Sequence, residues 1–374
     1  MDFFRILPPI LYYPAYLYSV MALIVLTYLC HAHSKGAALL KKAETFPLTT
    51  ICYALLLTLF MGLRPFSGVF GDTGMYVHWY DNIISSYDKA EWDTEWLWTD
   101  IAFLCKSLKL SASTYLLVIE CIYIGTAYLC CHILMKRNVW IAFLFVVSSF
   151  SFFSYGVNGM RNGAALHILL FAIALITETK TPKIICAALC LAAIFIHKSS
   201  TLPVASLFCA IYWIKNPKQA INLWIASIFI SLIAGNAIGN IFASLGFDDR
   251  MNGYFNSQNS EAAMSEFSQT GFRFDFLLYS AMPVIMTWYV TVKRQINDRK
   301  FNIIAITYII SNSFWIMVIR AAFSNRFAYL SWFLYPVVIA YPLLRLRIWD
   351  NQDKKTMQIL LLYAGFTFFM YIKG

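Results

Sequence analysis

The sequence predicts an all-α fold, a polytopic membrane bundle of about twelve transmembrane helices with two larger loops on its outer side. Three observations carry that prediction. Hydrophobic residues make up 60% of the 374 and charged residues 13%, with a mean hydropathy of +0.63, so a water-soluble fold would have to bury most of the chain. The apolar residues form runs close to the roughly 20 residues that cross a bilayer. Lysines and arginines gather between those runs, in every second gap. The net charge of +10 is therefore read as positive-inside anchoring, and no nucleic-acid partner is expected.

The runs fall at about 10–30, 46–63, 113–133, 138–156, 163–178, 183–196, 200–214, 219–238, 273–292, 301–319, 327–345 and 356–372. Lys35, Lys41 and Lys42 follow the first, Lys136 and Arg137 the third, Lys180 and Lys183 the fifth, and Lys215 and Lys218 the seventh. Lys293, Arg294, Arg299 and Lys300 follow the ninth, and Arg345, Arg347, Lys354 and Lys355 the eleventh. Short cytoplasmic loops collect such residues, which puts both termini outside. The first run leads straight into a lysine-bearing loop, as a first span does, and no cleavable signal is expected. The nine cysteines form no Cys-x-x-Cys pair and lie mostly within apolar runs, where they serve as small apolar residues.

The outer segment 64–111 is rich in acids and aromatics. Tyr76, Trp79, Trp92, Trp96 and Trp98 offer flat faces to pyranose rings, and equally suit an interfacial belt. Glu95 offers a carboxylate to sugar hydroxyls. The stretch from Trp96 to Leu110 is apolar but broken by Asp100, Lys106 and Lys109, which fits an interfacial helix better than a span. Glu120, inside the third run, calls for an arginine partner. Ser154 to Leu170 sets Arg161 between two apolar runs, with glycines at 156, 159 and 163 allowing a tight bend; an arginine at such a turn is a functional candidate. Runs six and seven each give only about 21 Å of helix against roughly 30 Å of hydrocarbon, so their apex, with His197, Lys198 and Ser199, is expected to sit sunken at a helix break. The segment 241–271, with Asp248, Asp249, Arg250, Glu261 and Glu266, is expected to form a cap. Run ten ends at Arg320 and run eleven begins near Arg326, which brings the two guanidiniums to one rim. Arg64, Arg161, Lys198, Arg250, Arg273, Arg320 and Arg326 thus stand on the side that positive-inside anchoring does not explain. They suit an anion, or snorkelling to lipid phosphates.

The order Arg64…Gly71-Asp72-Thr73…Tyr76, then Glu95, then Gly159-Met160-Arg161-Asn162, then His197-Lys198-Ser199, then Arg326-Phe327-Ala328-Tyr329 resembles the EpsG-like branch of the Wzy-type polysaccharide polymerases, over nearly the whole chain. Asn162 stands where a glutamine is associated with that family. The resemblance implies a GT-C-like glycosyltransferase of the bacterial inner membrane. It would join undecaprenyl-pyrophosphate-linked oligosaccharide repeat units on the periplasmic or outer face, building O-antigen, capsule or exopolysaccharide. Those lipid-linked oligosaccharides and the bilayer are the implied partners, with a chain-length regulator and a flippase as further candidates.

Displacement at an anomeric carbon needs a base beside the attacking hydroxyl and positive charge on the departing pyrophosphate. Arg161 and Arg326 are the first candidates for the pyrophosphate, with Arg320 and Lys198 in support and Arg64 behind them. His197 and Asp72 are near-equal candidates for the base: an imidazole ordinarily titrates near neutrality, while Asp72 lies in a Gly-Asp-Thr-Gly loop that also suits a plain turn. Glu95, Tyr76, Trp79 and Trp96 are the candidate sugar contacts. No Asp-x-Asp sequence is present, and no metal or other cofactor is expected. His31 and His33 lack a third ligand nearby, and His167 is read as a core residue. A ligase using the same arginines, a lipid-linked oligosaccharide flippase or transporter, and a membrane acyltransferase using His197 are the competing readings. Against the transporter stands the lack of an internal repeat.

Overall fold

Every apolar run expected to span the membrane is helical, and no β-strand occurs among the described residues. The computed structural model describes residues 7–33, 47–82, 95–244, 272–320 and 324–373; the side chains of 31–33, 47, 235–244 and 324 lie outside that description. The helices are α1 (Tyr12–His33), α2 (Pro47–Gly62), α3 (Thr73–Asn82), α4 (Trp96–Ser107), α5 (Ala112–Met135), α6 (Val139–Val147), α7 (Phe152–Val157) and α8 (Met160–Glu178). They continue as α9 (Lys183–Ile196), α10 (Thr201–Tyr212), α11 (Pro217–Ser244), α12 (Phe274–Trp288), α13 (Arg299–Met317), α14 (Ser324–Trp332), α15 (Tyr335–Arg345) and α16 (Gln352–Lys373). Among the described residues, seven segments are long and apolar enough to cross a membrane, and Leu48–Gly62 and Lys183–Ile196 are shorter apolar helices. The protein is a multi-pass, all-α membrane bundle.

Two expected spans carry an internal turn, each for a local reason. The run 138–156 divides into α6 and α7 at a serine-rich turn, where the Ser148 hydroxyl donates back to the Phe145 carbonyl at 3.4 Å. The run 327–345 keeps the length of a span, as Asn325–Arg345, with a turn between α14 and α15 where Pro336 has no N–H to offer the Trp332 carbonyl one turn earlier.

The chain forms two compact units. In the first, residues 1–197 and 343–374, α5 packs against α2, α3, α6 and α8, while α9 lies between α8 and α4. Helix α6 is apolar all round, and all nine of its residues are buried, as expected of a helix enclosed on every side. Helices α1 and α16 pack on it and on each other, leaving residues such as Leu26 and Leu362 exposed as lipid-facing side chains are. At the end that carries the basic gaps, buried Glu178 takes Arg345 at 3.4 Å and Lys136 at 3.7 Å.

In the second unit, residues 198–342, α13 packs against α10, α11, α12 and α14. Its polar side chains are paired across helices, as they must be away from water. Asn312 accepts from Trp224 Nε1 at 2.8 Å and donates to Ser331 Oγ at 2.9 Å. Ser280 receives Trp332 Nε1 at 2.7 Å on its hydroxyl and the Tyr308 hydroxyl at 2.8 Å on its carbonyl. Of the expected cap, residues 241–244 end α11 and the rest lie outside the described residues.

Candidate functional site

Three helix ends of the first unit converge on one carboxylate. Glu95 precedes α4, Arg161 stands in the first turn of α8, and His197 follows the last residue of α9 in an extended conformation (φ −150°, ψ 114°). The chain then makes a 3₁₀ turn over Lys198–Ser200 before α10, the helix break expected at this apex. Packing of α9 on both α8 and α4 brings the three residues together, and the rings of Trp96 and Phe195 meet at 5.1 Å beside them.

Glu95 Oε1 lies 2.6 Å from His197 Nδ1 and Oε2 lies 2.5 Å from Arg161 Nη1. The Glu95 side chain is 9% exposed, His197 16% and Arg161 27%, so the imidazole and the guanidinium are more open to solvent than the carboxylate that joins them. An ionised carboxylate only accepts hydrogen bonds, so Nδ1 carries the proton and the lone pair of the neutral ring sits on Nε2. Arg161 Nε is buried and meets no acceptor among the described residues, nor does Asn162 Oδ1 find a donor. The guanidinium thus keeps donor capacity beyond Glu95, at a helix N-terminus whose dipole also favours an anion. An imidazole braced by a carboxylate beside a guanidinium is an arrangement suited to group transfer with a charged leaving group.

A second cluster supports the turn that carries Arg161. Arg64 is fully buried, and its Nη1 donates to the Met61 carbonyl at 2.5 Å and to Glu120 Oε1 at 3.1 Å. Its Nε and Nη2 donate to Thr73 Oγ1 at 3.2 and 3.0 Å, and Nη2 also reaches the Val157 carbonyl at 3.2 Å and Met160 Sδ at 2.8 Å. Thr73 in turn donates to the Val157 carbonyl at 2.6 Å. Burial pushes the Arg64 guanidinium below its ordinary range, and the Glu120 carboxylate pulls it back up. Glu120 therefore has the arginine partner expected of it, and that partner is Arg64 rather than a site cation. Gly71 has φ +56°, and a Cβ there would run into the Asn158 side chain, whose Oδ1 accepts the Asp72 N–H at 2.8 Å. Asp72 is half-buried, and its carbonyl accepts the Tyr76 N–H that starts α3.

The other expected site residues are more scattered. Tyr76 is buried edge-on against Trp98 at 5.5 Å, and Trp98 against Tyr115, so this ring is part of an internal aromatic stack. Trp79 and Trp96 are half-buried, and Trp92 lies outside the described residues. Lys198, Arg320 and Arg326 belong to the second unit, each half-buried. Arg273 pairs with Asp275 at 2.9 and 2.6 Å and covers the Phe276 ring; Arg250 lies outside the described residues. His167 is a core residue, stacked on Tyr123 at 4.0 Å and bonded through Nδ1 to the Tyr123 carbonyl. The side chains of His31 and His33 are not among those described. No group of three or more His, Cys, Asp or Glu suited to a metal occurs among the described residues.

Sequence reasoning missed the shared role of Glu95 and the parts played by Thr73, Asn158 and Phe195. Asn158 and Thr73 had a signal, since both sit within the runs around Arg161 and Asp72. Nothing in the order of residues links Glu95 to His197, because that contact is made only by packing of α4 on α9.

The fold and the site define a class: a multi-pass α-helical membrane protein with a carboxylate, an imidazole and a guanidinium joined at helix ends. The chain belongs to the EpsG family, whose model matches residues 48–374. It is thus a polysaccharide-polymerase-type membrane protein, with glycosyl transfer as its general chemistry. No curated protein and no solved structure matches the chain.

Proposed function

We infer that the protein lengthens a polysaccharide on the outer face of a bacterial inner membrane, joining undecaprenyl-pyrophosphate-linked oligosaccharide units, with His197 as the base. One observation carries this reading: Glu95 holds both the ring of His197 and the guanidinium of Arg161. In the step, His197 Nε2 takes the proton of an acceptor sugar hydroxyl, and the hydroxyl oxygen forms a bond to the donor's anomeric carbon. The bond from that carbon to a pyrophosphate oxygen breaks, and its electron pair leaves with the pyrophosphate. Arg161 offers charge-assisted bonds to that leaving group. A positioned base of this kind contributes about 10²–10⁴-fold to rate.

His197 is preferred to Asp72 because its ring is oriented by a carboxylate, whereas the Asp72 backbone is used to hold Asn158. Glu95 then serves as the orienting acid in place of a sugar contact. Trp96, half-buried beside it, is the stacking platform assigned to the acceptor sugar, with Trp79 as a more distant candidate along the chain. Arg326, with Arg320 and Lys198, keeps its assignment to pyrophosphate as one of the cations that positive-inside anchoring does not explain. The orientation with both termini outside rests on the charge of the loops.

Purified protein supplied with lipid-linked repeat units tests the reading. Arg161→Ala and Arg326→Ala are expected at normal levels in the membrane with no chain extension, and Arg161→Lys is expected to be impaired because lysine lacks the two-pronged grip. Near-wild-type ladders from Arg161→Ala would refute the assignment. Transfer to a different acceptor would make the protein a ligase, and absence of any new glycosidic bond a transporter.

A further inference from the structure

We propose that Arg64 and Thr73 are positioning residues that fix the Val157 carbonyl and so set Arg161 at the donor subsite. The proposal rests on the assignment of Arg161 to pyrophosphate. Helix α7 ends at Val157, and the last carbonyls of a helix have no partner within it. Here that carbonyl receives Thr73 Oγ1 at 2.6 Å and Arg64 Nη2 at 3.2 Å. The next residue, Asn158, is held by the Asp72 N–H at 2.8 Å, and Met160 by Arg64 at 2.8 Å through its sulfur. Three of the four residues that precede Arg161 are therefore held by one bracket, built from Arg64 and the Gly71-Asp72-Thr73 loop.

Thr73 is the joint of that bracket. Its hydroxyl accepts two bonds from Arg64 and gives its single proton to Val157. Arg64 is itself held by the Met61 carbonyl and Glu120, so the bracket is anchored to α2 and α5. Loosening it frees the turn, and misplacement of a binding group by about 1 Å costs on the order of 10²-fold in rate. The Arg64, Gly71-Asp72-Thr73 and Gly159-Met160-Arg161 runs become one device, in which only Arg161 meets the ligand.

Inorganic pyrophosphate, competing with the lipid-linked donor, probes the subsite in the full-length protein. Thr73→Val keeps the shape and loses the hydroxyl; it is expected to weaken pyrophosphate inhibition and raise the donor KM about tenfold, with the acceptor KM unchanged. Thr73→Ser, which keeps the hydroxyl, is expected within about twofold of wild type. Asn158→Ala removes a single bond and is expected to move the same two parameters in the same direction. Wild-type inhibition in Thr73→Val, equal rises in donor and acceptor KM, or Thr73→Ser as damaged as Thr73→Val would each overturn the proposal. Should Thr73→Val not reach the membrane, unchanged inhibition in Asn158→Ala overturns it. Arg161→Ala separates the two levels: retained pyrophosphate inhibition there sinks the assignment of Arg161 to pyrophosphate. Loss of inhibition there, with retention in Thr73→Val, sinks only the bracket.

Discussion

Glu95→Gln removes one charge at nearly constant shape, and the geometry dictates its effect. The carboxylate accepts from Arg161 Nη1 at 2.5 Å and from His197 Nδ1 at 2.6 Å. An amide has one accepting and one donating end. Arg161 has only donors, so the amide oxygen stays with it and the amide NH₂ faces His197. Nδ1 must then accept, the ring proton moves to Nε2, and the lone pair needed to take the hydroxyl proton is lost. Wrong-tautomer substitutions of this kind lower turnover by roughly 10⁴-fold in serine proteases, and a fall of about 10³–10⁴-fold is expected here. Donor binding should respond in the opposite sense. If Arg161 takes the pyrophosphate as proposed, Glu95 competes with it, so the variant is expected to be inhibited by inorganic pyrophosphate at equal or lower concentration than wild type. Chain extension by purified protein, monitored as ladders of lipid-linked product alongside pyrophosphate titration, reads both quantities. Turnover within tenfold of wild type, or pyrophosphate inhibition weakened together with turnover, would refute the division of labour between base and cation.

Two further outcomes concern stability. Glu120→Ala leaves the Arg64 charge buried without its acid and is expected to cost about 3–5 kcal/mol, whereas Arg64→Met combined with Glu120→Leu is expected to melt closer to wild type while remaining impaired in chain extension. Melting in detergent checks the first half and the ladder assay the second; a double variant no more stable than Glu120→Ala would contradict it. Gly163→Ala would set a Cβ 2.5 Å from the Tyr155 carbonyl oxygen, a backbone atom that cannot swing aside, and is expected to destabilise by about 1–3 kcal/mol. Unchanged melting there would mean that α7 packs against α8 more loosely than this distance requires.

The helices were legible in the sequence because a membrane segment must be apolar over a fixed length, and that constraint leaves its mark residue by residue. The turns inside 138–156 and 327–345 were harder. Ser148 and Ser151 are tolerated within apolar helices, and Pro336 is read as a kink as readily as a stop. At the site, Arg161 and His197 stood out because a charge and an imidazole at helix ends are unusual in such a chain. Arg64 stood out for the same reason and proved to be spent inside the protein on Glu120, Thr73 and two carbonyls. Cost in a membrane marks a residue as needed without saying for what. Glu95 was read as a sugar contact because the sequence shows what a carboxylate can bond, while its partners are decided by which helices touch.

The hydrogen bonds around Arg64 join stretches of chain as far as 96 residues apart in sequence into one knot. A group tied in so many directions cannot swing without breaking several bonds together, so the 71–73 loop and the turn before Arg161 are expected to shift together and not separately. They form a floor rather than a flap. Any gating that admits a substrate to Arg161 and His197 has to be sought in some other part of the chain, and the 71–73 loop is the wrong place to engineer it.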